Sequence, residues 1–135
     1  MKALSIHADN GAAIMAGRKT DEFRSWQTDY RGDLLICASV KPCGAEYLHG
    51  HAIGVVELAD IVRDGAYDFV WKLRRPRLIH PFPVKGKLHL YEVDEPITYW
   101  DFRAAGPEAD TEAGRYRLWA RALFERGLIR AWRER

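Results

Sequence analysis

Hydrophobic and polar positions in this chain change over mostly in short, strand-length stretches. Lys2–Ile6 reads as a strand. Asp9-Asn10-Gly11 supplies a helix N-cap, and Gly11–Ala16 reads as a short helix closed by Gly17 in the C′ position. From Arg18 to Trp26 the pattern has period two: Lys19, Asp21 and Phe23 on one side, Thr20, Glu22 and Arg24 on the other. Lys19 lies at the strand entry, where a bend is needed to bring it back towards Glu22 and Arg24.

After the turn Tyr30-Arg31-Gly32-Asp33, further strands are predicted over Leu34–Ser39, His51–Val62, Tyr67–Leu73 and Leu88–Val93. Gly54 inside one of them marks a bulge or a close backbone approach, and Pro76, Pro81 and Pro83 keep Arg75–Val84 from being a central strand. Residues 94–111 read as a loop. A helix follows from Asp110-Thr111, with Tyr116, Trp119 and Leu123 on one face and Gly127 at its end. Leu128–Trp132 fits a further helical turn or a short edge strand. The pattern predicts an α+β, mainly β fold: a small β-barrel over residues 1–95 with a short N-terminal helix. Residues 96–135 add a loop and a basic amphipathic helix packed on it.

Length and composition fit that picture. At 135 residues, with 47% hydrophobic and 30% charged residues, the chain is one domain able to bury a core without staples. No apolar run approaches the ~20 residues of a membrane span. The N-terminus meets polar residues too soon for a signal peptide, so the expectation is a cytoplasmic domain with no membrane partner. Two cysteines, Cys37 and Cys43, form no disulfide framework; Cys37 reads as a buried small hydrophobe.

The formal net charge of +2 is unevenly spread. Residues 112–135 hold seven Arg against three Glu, and residues 1–111 hold fourteen Lys/Arg against sixteen Asp/Glu. Lys72, Arg74, Arg75, Arg77, Lys85 and Lys87 follow one another with no acid between them. A basic stretch and a basic tail on a near-neutral body suit an anionic partner; a merely solvated face is the plainer reading.

The segment Gly17-Arg18-Lys19-Thr20-Asp21-Glu22-Phe23-Arg24 carries the densest chemistry. Lys19 and Arg24 can hold a phosphate or carbonyl oxygen, Arg bidentately and Lys as a point charge. Glu22 can accept from an exocyclic amine or act as a general base. The competing reading is a surface ion-pair cluster of little energetic weight. Trp26, Trp71 and Trp100 could stack bases or simply pack, with Trp26 the best placed to stack. Arg31 in its turn and Lys85 before Gly86 are candidate groove-lining cations. Cys43, His49 and His51 have the spacing of a metal trio but are more simply a loop with exposed histidines.

The form G-x-K-x-x-E-x-R over Gly17–Arg24 resembles the ASCH domain family, related to the PUA domains of RNA-modifying enzymes. Lys2–Ile6, Tyr30–Ser39, His51–Asp60 and Pro81-Phe82-Pro83-Val84-Lys85-Gly86 fit the same family in order, so the resemblance covers about residues 2–93. It implies a PUA-like barrel with a cleft beside the first helix, holding RNA or a nucleotide through Lys19, Glu22, Arg24, Trp26, Arg31 and Lys85. It also implies a hydrolase alternative with Lys19 and Glu22 as catalytic residues: a single-stranded ribonuclease, or an amidohydrolase on acylated cytidine. The amidohydrolase branch has Thr where this chain has Glu22, and Glu57 is the candidate for its distant Glu. A nucleotide- or RNA-binding module needs no cofactor, whereas a nuclease would use Mg²⁺ or Mn²⁺. A small-ligand or protein-interaction domain without RNA is the third reading.

Overall fold

The computed structural model describes residues 1–66 and 68–132. Its elements are β1 (Lys2–Ile6), α1 (Ala8–Met15), β2 (Asp21–Arg24), β3 (Gly32–Ala38), β4 (His51–Arg63), β5 (Phe69–Pro83) and β6 (Tyr91–Glu92), followed by a 3₁₀ turn (Pro107–Asp110) and α2 (Glu112–Glu125). The six strands form one mixed sheet in the order β2-β5-β4-β3-β1-β6, with β1 parallel to β3 and the other pairs antiparallel. The class is α+β, as the pattern predicts.

The barrel is not closed. Among the described residues no hydrogen-bonded ladder joins the two edge strands. The gap is spanned by side chains instead: Arg24 Nη2 donates to Ser5 O at 3.2 Å, and the Trp26 ring meets His89 at 4.7 Å between centroids.

The apolar run of β3 is explained by burial on both faces. Leu34, Ile36 and Ala38 join the cluster that packs under α1 and α2, while Leu35 and Cys37 join a second cluster with Val55, Ile79 and Tyr91. Burial pushes the Cys37 thiol up to about 11. On the helical side Trp119 and Leu123 of α2 are fully buried, and Trp119 Nε1 donates to Ile79 O at 2.9 Å. Among the described residues no helix is long and apolar enough to cross a membrane.

Three boundaries differ from the sequence pattern. Helix α1 starts at Ala8, not Gly11, with His7 as an N-cap lacking a side-chain bond; Asp9 instead sits in the first turn, where a carboxylate suits the helix dipole. Strand β5 runs through the prolines to Pro83. Register shifts against β4 absorb Pro76 and Pro81, Arg75 takes φ of 56°, and β2 covers only Phe69–Lys72 of the other edge. Strand β6 keeps two residues of the predicted six because His89 adopts φ of 59°, which breaks the extended chain. Tyr67, the predicted start of the β5 run, lies outside the described residues, as do 133–135. Leu128–Trp132 is neither helix nor strand; Arg130 and Ala131 donate their backbone N–H groups to Ala45 O.

Candidate functional site

The end of α1 makes the bend that the Lys19 position requires. Gly17 takes φ of 78°, and the backbone N–H groups of Arg18 and Lys19 both return to Ala13 O at 2.9 and 3.1 Å. The chain then enters β2, where Glu22 faces inward opposite Trp71 of β5. Glu22 is 6% exposed and is the one buried charged residue among those described. Each of its oxygens is held by a different cation: Oε1 by Lys19 Nζ at 2.9 Å, and Oε2 by Arg24 Nη2 at 2.8 Å and Nε at 3.2 Å. A buried carboxylate is tolerated only with such pairing.

Glu22 and Arg24 line a polar cleft of about 510 Å³ whose other wall comes from the end of β1, the start of α1 and the end of β3, including Ser5, Asn10 and Ser39. The Ser39 hydroxyl is buried there without a hydrogen-bond partner. Lys19 lines a smaller neighbouring cavity of about 120 Å³ with Thr20, Arg74, Arg75 and Pro76, and reaches Glu22 with its ammonium.

The structure brings Lys19, Glu22 and Arg24 together and sets Trp26 in the cleft lining. The Trp26 ring is already engaged edge-on by Trp71 and His89. Phe23 borders the cleft, but its side chain, 59% exposed, stands on the other face of β2.

Arg31 sits at the start of β3, the far end from the cleft, and pairs weakly with Asp60 at 3.9 Å. Lys85 is exposed just beyond β5, next to Gly86, whose Cα backs onto Ser5 Oγ. Glu57 is taken by Arg74 at 2.6 Å and Arg75 at 3.3 Å rather than by Lys19.

The basic stretch is largely compensated by acids from neighbouring strands. Lys72 pairs with Asp21, and Arg77 with Asp33. The Arg77 and Arg74 guanidiniums hold the Asp33 and Glu57 carboxyls below their ordinary values through hydrogen bonds. Cys43 Sγ lies 3.5 Å from His49 Nε2, but His51 Nδ1 turns to His49 O; among the described residues no group of three ligands is placed to hold a metal.

A six-stranded mixed sheet thus carries, beside its first helix, a Lys–Glu–Arg clamp around one buried carboxylate. The ASCH domain model matches residues 4–99, and the chain belongs to the ASCH domain family. Among solved structures it resembles an ASCH protein from Zymomonas mobilis, with a TM-score of 0.55 at 17% identity over 70% of this chain and 87% of that one. Two single-residue variants of that protein match with TM-scores of 0.56 and 0.55, also at 17% identity, covering 70% of this chain and 90% and 88% of theirs. At this identity the likeness is one of fold. No curated protein is matched.

Proposed function

We propose that the cleft binds RNA, or a nucleotide from it, with Lys19 and Arg24 as anion contacts and Glu22 as the residue that positions them. The observation that carries this reading is the clamp itself. Two cations are fixed by one buried carboxylate, so the cluster has net positive charge and its donors lose little freedom on binding. The clamp occupies Nε and Nη2 of Arg24 and leaves the Nη1 N–H groups for a phosphate oxygen.

Binding is favoured over hydrolysis because both Glu22 oxygens already accept from cations, which opposes a role as proton acceptor. The same engagement leaves the described cleft lining without a free carboxylate for Mg²⁺ or Mn²⁺, so these residues do not fit a divalent ion.

The test is a titration of fluorescent single-stranded RNA and of cytidine monophosphate at several salt concentrations. Wild type should bind with log K falling linearly in log salt. Lys19→Ala and Arg24→Ala should each weaken binding about tenfold and reduce the slope by about 1, with the far-ultraviolet circular dichroism retained. Equal affinities for wild type and both variants, or no binding to either probe at low salt, would overturn the reading.

A further inference from the structure

A second groove, of about 630 Å³, lies further along β5, where the segment after β6 and the start of α2 meet the sheet. Its floor is apolar, with Met15, Leu78 and Phe102, and its rim carries Arg77, Arg103 and Arg115, of which Arg77 pairs with Asp33 and Arg103 with Asp101. Trp100 is covered on its faces, stacked on His80 at 4.7 Å and capped by the Arg126 guanidinium at 5.2 Å. Tyr99 is different. Arg77 lies over its ring at 5.8 Å, yet the residue is 44% exposed. The segment is stitched to β5 by the Ile79–Tyr99 bridge, with His80 donating to Thr98 O and Trp100 to Leu78 O. Tyr99 is thus held on backbone scaffolding, with its ring left at the groove.

A small cavity lies between groove and cleft, lined by Lys19, whose ammonium reaches Glu22 of the cleft, and by Glu112. Lys19 shares its small cavity with Arg75 and Pro76, and Pro76 is also part of the groove's wall. From Trp71, the partner of Glu22, to Arg77 the strand spans ~20 Å at ~3.3 Å per residue. A stacked single strand advances ~3.4 Å per nucleotide, so about six nucleotides cover that distance.

We propose that single-stranded RNA seated in the cleft continues over Lys19 and Arg75 into this groove, where Tyr99 stacks a base and Arg115 meets the backbone. The groove joins an exposed aromatic ring to Arg115, which pairs with no carboxylate among the described residues and gives an Nη1 N–H to Ala109 O; a nucleotide carries both a π-face and a negative charge to match. Much of the groove comes from residues beyond position 99, outside the part of the chain that the family covers. The proposal rests on the reading of the cleft as an RNA site, and the experiment separates the two.

The probes are cytidine monophosphate and oligocytidylates of two, four, six and eight residues, with a polyglutamate peptide alongside. The affinity of wild type should climb up to about six residues and then flatten. Tyr99→Ala should weaken the hexamer about tenfold and leave cytidine monophosphate unchanged, which also shows that the cleft remains folded; Tyr99→Phe should restore the hexamer affinity. Arg115→Gln should lower the salt slope for the hexamer by about 1.

A hexamer bound no more tightly than the dimer, or bound equally by wild type and Tyr99→Ala, would overturn the groove while the cleft stands. Failure of every cytidylate, monophosphate included, would remove the cleft reading and the groove with it. Polyglutamate binding as tight as the hexamer and equally dependent on Tyr99 would mark an acidic-protein docking face and refute the RNA path.

Discussion

Glu22 organises the cleft by being satisfied twice over. Replacing it with Gln keeps the shape but puts an amide NH₂ against one of two cations, so a donor meets a donor. Glu22→Gln should cost about 2 kcal/mol in urea unfolding and weaken RNA binding by loosening Lys19 and Arg24. Unchanged stability together with unchanged affinity would show that the clamp positions nothing. The residues of the clamp were legible because all three lie within six positions and the bend at Lys19 follows from Gly17. The compensation of the basic stretch was not legible. Asp21, Asp33 and Glu57 reach Lys72, Arg77 and Arg74 from strands 17 to 51 residues away, and linear charge spacing carries no such pairing. The engagement of Trp26 was hidden for a similar reason: the contacts that occupy its ring come from Trp71 and His89, remote in sequence.

Among the elements, β4 and β5 show how a strand accommodates what a regular ladder forbids. Gly54 sits where the register shifts, and a Cβ there would collide with the end of Met15 and lie 2.9 Å from Arg77 O. The methionine can swing away but the carbonyl belongs to the ladder, so the backbone must yield. Gly54→Ala should therefore lose about 1–3 kcal/mol, read from the urea midpoint; a neutral result would mean that the sheet and α1 separate more freely than their packing implies. Alternation located nearly every strand, and Gly54 was correctly read as a bulge or close approach. Boundaries were harder, because the features that move them are backbone states of single residues. Arg75 and His89 adopt positive φ without being glycine, and bulges let Pro76 and Pro81 remain inside β5.

For the molecule as a whole, α2 does more than cover the sheet. Trp119 and Leu123 anchor it, while Arg115 and the preceding Ala109 form part of the second groove. Trp119→Ala should cost about 3–5 kcal/mol in denaturant unfolding. Under native conditions it should reduce hexamer affinity more than monophosphate affinity, since α2 supplies Arg115 to the groove but no residue to the cleft lining. Equal losses for both ligands would instead show that the two sites stand or fall together.

The open flank of the sheet has its own consequence. Arg24 is both a proposed ligand contact and the hook that fastens β2 to the Ser5 carbonyl. A phosphate held on Nη1 loads the same guanidinium whose Nη2 fastens the latch, so filling the cleft should alter how readily that flank breathes. Amide exchange in Asp21–Arg24 and Lys2–Ile6 is where occupancy would register, far more than in the twice-paired β3.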